Sequence, residues 1–139
     1  MQLTLTACGE ACWQDRYPTA ASVSGSAGEA VLRPLGTRPC PLEARIVNRS
    51  GEAVNALSLT VNGRRMAFEG LGLAEGETLE IACDEYGLLK AAVNGTGQLS
   101  CRTADSADAL TLTPCRDNVV RFAADGTCGV TLYARGRYD

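Results

Sequence analysis

Trp13, Asp15, Arg16 and Tyr17 stand close together near the start of the chain. An aromatic face can stack on a sugar ring while arginine and carboxylate groups take its hydroxyls. Trp13, Arg16 and Tyr17 are therefore candidate sugar contacts. Against this, aromatics are only 5% of the residues, and a single Trp in a small chain serves more often as a core or edge plug. A second group closes the sequence in "YARGRYD", with Tyr133, Arg135, Arg137 and Tyr138. Tyrosine and arginine are enriched at protein interfaces because they join contact area to directed hydrogen bonds. These four are candidate interface residues. On a solvated sheet face, Tyr133 and Arg135 would instead form only cross-strand pairs.

Catalytic chemistry has little to work with. The chain contains no His, which removes Ser-His-Asp triads, Cys-His pairs and imidazole-based zinc sites together. Asp84-Glu85 and the pair Asp105 and Asp108 are the nearest acidic clusters, and both fall in expected turns, where Asp serves local hydrogen bonding. "AADGTCG" lacks the further acidic ligands of a calcium loop. "GSAGEA" and "GLGLAEG" are glycine-rich, but neither leads into a helix or a Lys-Ser/Thr pair, so neither reads as a phosphate loop. Seven cysteines, an odd number without zinc-ribbon spacing, read mainly as small buried hydrophobes, Cys83 and Cys128 above all. The expectation is no enzyme, no cofactor and no metal.

Composition narrows the partners. With 45% hydrophobic and 21% charged residues, a chain of 139 residues can bury a core and is neither disordered nor membrane-spanning. A net charge of -3 disfavours nucleic acid. Twelve of the thirteen basic residues are Arg, which favours protein partners, although the base composition of the gene would give the same bias. "MQLTLTACGEACWQDRYP" has no basic start and no long apolar run, so the expectation is synthesis in the cytoplasm without a signal peptide.

The elements that must position these groups are strands. Leu42, Ala44 and Ile46 share a face opposite Glu43 and Arg45, and Leu57, Leu59 and Val61 repeat the pattern. Asn62-Gly63 and Asn94-Gly95 read as tight turns, and a further turn is expected near Tyr86-Gly87. Strands are expected around Leu79 to Cys83 and Leu89 to Val93. Cys8 to Pro18 reads as irregular or a short helical turn, and Ser24 to Gly28 as a small polar loop between two short strands. "DNVVRFAADGTCGVTLYARGRYD" reads as a hairpin, with Asp125-Gly126 as its turn and Val120 and Phe122, then Cys128, Val130, Leu132 and Ala134, on the buried face. The sum is an all-β, antiparallel, jelly-roll-like β-sandwich of about ten short strands, spanning 1–139 as a single domain. Residues 1–40 would add strands and loops to that domain.

From about Ala44 onward the order of features resembles the C-terminal, galectin-like jelly-roll domain of siphophage distal-tail-type proteins. The matching pieces are "LSLTVNG", "GLAEGETLEIACDEYG", "LKAAVNG", "LTLTPCRDNVVRF" and "GVTLYARGRY". This chain departs from the pattern in having no room for the family's ring-forming N-terminal domain, and in carrying Cys115-Arg116-Asp117 where a Gly is usual. The resemblance implies a structural component of a phage or prophage tail, associated with the virion. Such a component would work through self-association or contacts with other tail proteins. A carbohydrate-binding module recognising a host surface glycan is the other function this fold would carry. Fold alone does not choose between them.

Overall fold

Period-2 patterning governs the folded chain as it does the sequence. A computed structural model describes residues 5–7, 13–15, 19–83, 89–104, 106–107 and 110–138, with backbone alone at 5–7, 13–15, 83 and 99. In chain order the strands are β1 (Leu5–Ala7), β2 (Trp13–Asp15), β3 (Thr19–Leu32), β4 (Cys40–Pro41), β5 (Glu43–Asn48), β6 (Leu57–Val61), β7 (Arg64–Phe68), β8 (Thr78–Cys83), β9 (Leu89–Val93), β10 (Thr96–Gly97), β11 (Thr111–Leu112), β12 (Asn118–Ala134) and β13 (Arg137–Tyr138). One 3₁₀ turn, Leu99–Cys101, is the sole helical element among the described residues. Every strand pair is antiparallel. The protein is an all-β antiparallel sandwich.

Its frame differs from the sequence expectation in one respect that reorganises everything else. Asn118–Ala134 is a single strand of 17 residues, not a hairpin, and neither Asp125 nor Gly126 has the positive φ a tight turn demands. Thr19–Leu32 is likewise one strand of 14 residues, not two strands around a loop. β3 runs along the whole of β12. On its other side β12 pairs first with β6, through Arg121 to Ala124, and then with β5, through Cys128 to Tyr133. Between those partners the sheet turns a corner, where Ala124 to Thr127 face only Ser26 of β3. Such a bulge bends a strand sharply and re-aims it. Gly25, at φ +122, supplies the matching bend in β3.

Two arms thus share two strands. One carries β12, β5, β8, β9 and β10, the other β12, β6 and β7. Their inward side chains form one cluster: Ile46, Leu79, Val130 and Leu132 from the first arm, Leu59, Met66, Phe68, Val120 and Phe122 from the second. Each large aliphatic buried there contributes about 1.5–3 kcal/mol.

The hairpin turns expected at Asn62-Gly63 and Asn94-Gly95 are present. Both residues of each turn are left-handed, with φ of 52 and 75 in the first and 51 and 81 in the second, as a type I′ turn requires. Tyr86-Gly87 lies outside the described residues. Trp13–Asp15, expected to be irregular or helical, is a strand paired to both β1 and β13.

Two buried asparagines hold the connections. Asn48 donates from Nδ2 to the carbonyls of Glu52 (2.7 Å) and Leu73 (2.8 Å), and its Oδ1 accepts from the Ser50 amide (2.8 Å) and hydroxyl (2.7 Å). This pins the loop that packs against the corner. There the Asp125 amide donates to the Ala56 carbonyl (3.0 Å), and the Asp125 carboxylate accepts from the Asn55 amide (3.2 Å). Asp125 therefore anchors a neighbouring loop where sequence reading placed a turn.

Candidate functional site

The outward face of the first arm collects the charged and aromatic residues that alternation rejects from the core. On β5, Glu43 and Arg45 point outward between buried Leu42, Ala44 and Ile46. Register sets Tyr133 opposite Glu43, Thr131 opposite Arg45, and Arg45 opposite Glu80 of β8. The Arg45 guanidinium meets the Glu80 carboxylate at 3.3 Å. With both groups exposed, that pair contributes about 0–1 kcal/mol and serves more to orient its members than to stabilise. Glu43, Arg45, Glu80, Tyr133 and Arg135 line a shallow groove of about 260 Å³.

Burial pushes the Glu43 carboxyl above the usual carboxylate range, and the charges of Arg135 and Arg137 oppose that rise. Desolvation wins because the side chain is held against the sheet between β12 and β8. The groove therefore has a half-buried acid at its end and arginines on its flank, and it can take a partner offering both signs of charge.

Below the groove the chain turns at buried Gly136 into β13. The Arg137 carbonyl accepts from the amides of Thr37 (2.8 Å) and Arg38 (3.1 Å). Gly36, at φ +123, passes so close that an added Cβ would collide with the Arg137 carbonyl oxygen. Only glycine fits there. The Arg137 Nε is buried without a hydrogen-bond partner among the described residues, so this side chain is partly turned into the protein. β13 then pairs with β2, setting Arg137 opposite Gln14 and Tyr138 opposite Trp13.

Sheet topology therefore joins residues that the sequence holds more than a hundred positions apart. Tyr133, Arg135, Arg137 and Tyr138 are all half-buried at one end of the first arm. Trp13 lies in the strand beside Tyr138, while Arg16 and Tyr17 lie outside the described residues. The acidic clusters Asp84-Glu85 and Asp105/Asp108 also lie outside them. Among the described residues no three His, Cys, Asp or Glu side chains converge so as to hold a metal ion. Cys128 is buried, as expected, with its thiol raised by burial and by the Asp125 charge, whereas the Cys83 side chain lies outside the described residues.

Glu43, Arg45 and Glu80 escaped the sequence reading as site residues. Each sits one place from a buried aliphatic, so each reads as the solvent side of a strand. Only the register shows that they face Tyr133 and Arg135. No family model, curated protein or solved structure matches the chain.

Proposed function

We propose that the protein is a non-enzymatic structural module of a phage or prophage tail, acting as a rigid docking or assembly unit through protein–protein contacts. The observation that carries the docking role is the groove face. Tyr133, Arg45, Glu43 and Glu80 project from three strands cross-linked by continuous ladders, with Arg135 just past the end of β12. The backbone of such a platform is already ordered, so little backbone entropy is lost on binding, and tyrosine and arginine supply the usual anchors. The tail setting rests on the motif order from "LSLTVNG" to "GVTLYARGRY". A virion-associated place follows from the same reading.

The test is an Arg135→Ala, Tyr138→Ala double variant, checked for folding by circular dichroism. It should keep its fold and lose binding to neighbouring tail proteins or to itself, because such anchors contribute over about 1 kcal/mol each. Full retention of every such contact would refute the assignment.

One observation favours a second reading, a lectin-like module for a host surface glycan. The backbone pairing of Tyr138 with Trp13 gathers two aromatic residues and Arg137 at one edge. A glycan array separates the readings. Specific glycan binding abolished by Trp13→Ala, with protein contacts unaffected by the double variant, would favour the lectin.

A further inference from the structure

β3 is the outermost strand on its side of the sheet. Its one partner among the described residues is β12, so no described strand covers the opposite edge. Open edges are templates for further pairing, and proteins usually blunt them with lysine, proline or several charges. β3 has no lysine, no proline and a single charged residue, Glu29. At its C-terminal end lie the exposed large hydrophobics of the described surface: Val31 (51% exposed), Val119 (42%) and Leu35 (39%). Val119 stands directly opposite Val31 in the β12 ladder, so the apolar patch runs up to the open edge.

We propose that this edge pairs with the same edge of a second copy of the chain, antiparallel about a two-fold axis through Val31. The proposal deepens the assembly reading above and rests on it, naming the partner and the register. The segment "EAVLR" from Glu29 to Arg33 is its own antiparallel complement. With Val31 opposite its counterpart, Glu29 of each copy faces Arg33 of the other. The apolar pair Val119–Val31 continues across the axis into a row of four valines. Oppositely charged and β-branched cross-strand pairs are the units that stabilise such a ladder.

The backbone is poised for the same register. The Leu32 carbonyl turns toward β12, where it accepts from Asn118 Nδ2 at 3.1 Å. Alternation then directs the N–H and C=O of Glu29, Val31 and Arg33 outward. Pro34 falls on the inward parity, so its missing N–H costs the new ladder nothing. Two ion pairs already hold the outward charges in place: Arg121 to Glu29 at 3.0 Å and Arg33 to Asp117 at 3.4 Å. Gly25 bends the strand away further along, which confines the ladder to the stretch around Val31. A ladder this short gives a weak dimer, with a dissociation constant on the order of micromolar or above.

Sedimentation velocity of the full chain across a concentration series tests this. The expected result is a monomer–dimer equilibrium. Glu29→Arg alone, or Arg33→Glu alone, sets like charges opposite each other at two symmetric places and weakens the dimer by about tenfold or more. In a background carrying Arg121→Ala and Asp117→Ala, which removes the like charges the swap would otherwise meet within the chain, combining Glu29→Arg with Arg33→Glu restores opposite charges across the axis and recovers the dimer. Val31→Lys yields monomer, and circular dichroism of each variant confirms that the fold persists. A chain monomeric at every concentration overturns the proposal, as does a double charge swap no better than its single members. A dimer broken by Arg135→Ala, Tyr138→Ala but indifferent to the β3 variants overturns it too, while leaving the docking function standing. Conversely, a dimer that follows the charge-swap pattern upholds it even where the groove face binds nothing.

Discussion

Asn118→Ala should be among the most destabilising single substitutions in this protein. The residue opens β12 at 1% exposure, in phase with the apolar stripe. Its Nδ2 contacts three carbonyl oxygens, those of Leu32 (3.1 Å), Thr113 (3.0 Å) and Arg116 (2.9 Å). Its Oδ1 accepts from the Thr113 amide and from Asn62 Nδ2, both at 2.9 Å. One side chain thus ties the ends of β3, the loop before β12 and the type I′ turn after β6. The Nδ2 group has two hydrogens for its three contacts, so four bonds count in full, and at about 0.5–1.5 kcal/mol net each they set an upper bound of roughly 6 kcal/mol. Thr113, Arg116 and Asn62 are exposed and recover part of this through water, which brings the expected loss to about 2–4 kcal/mol.

Against a total stability of about 5–15 kcal/mol, that loss is severe. It should lower the melting temperature by roughly 10 °C for a chain of this size. Urea denaturation followed by far-UV circular dichroism measures it directly. Asn118→Asp makes a sharper comparison. When ionised it keeps the acceptors, loses every donation and buries a charge, so it should be no better than Ala near neutral pH and improve as the pH falls. A loss below about 1 kcal/mol for Asn118→Ala would show that the network is ornamental and refute the reasoning.

Deleting Thr127 to Asp139 removes Cys128, Val130, Leu132 and Ala134, all at 2% exposure or less, and leaves β3 and β5 without the strand between them. The truncated chain should be insoluble or molten, and a soluble product with an unchanged melting temperature would contradict the role given to β12. Glu43 carries a second prediction, in pH. Because its folded pKa is raised, its contribution is fully present below its ordinary value of 4.5 and is lost as pH rises through the folded pKa. Glu43→Gln should therefore match or exceed the wild type in thermal stability at pH 7, with the difference closing below pH 4.5. A wild type that gains stability on the variant as pH rises through that window would reverse the sign and sink the argument.

Much of the chain beyond Pro41 was legible because its strands alternate large aliphatics with polar residues. β5, β6, β8 and β9 were readable from Ile46, Leu59, Leu79 and Val93 and their in-phase neighbours. The turns at Asn62-Gly63 and Asn94-Gly95 were readable because few other residue pairs accept two left-handed positions in succession. β3 hid behind its composition. Alanine, serine and glycine give almost no hydrophobic contrast between faces, so a strand of 14 residues looked like two short strands with a loop between them. The groove was hidden for a different reason. Glu43, Arg45 and Glu80 belong together only through the pairing of β5 with β8 and β12, and pairing across such distances leaves no local mark.

The misplaced hairpin is the instructive error, because the residues themselves contradict it. In a hairpin with Asp125-Gly126 as its two loop residues, 124 would face 127, and residues opposite each other in a ladder share a side of the sheet. Val120 and Phe122 would then share the buried side with odd-numbered positions beyond the turn. The buried positions beyond it are even: Cys128, Val130, Leu132 and Ala134. Unbroken parity through an Asp-Gly pair means that the chain went straight on. The consequence reaches the functional proposals. A terminal hairpin would have placed Tyr133 and Arg135 on an outlying ribbon, with one neighbour and an open side. In a through-running β12 they lie beyond the corner, in or just past the stretch where β3 closes one side and β5 the other. That enclosure half-buries both residues and raises the Glu43 carboxyl. It also makes β3, and not the last strand, an edge along which this sheet can be extended.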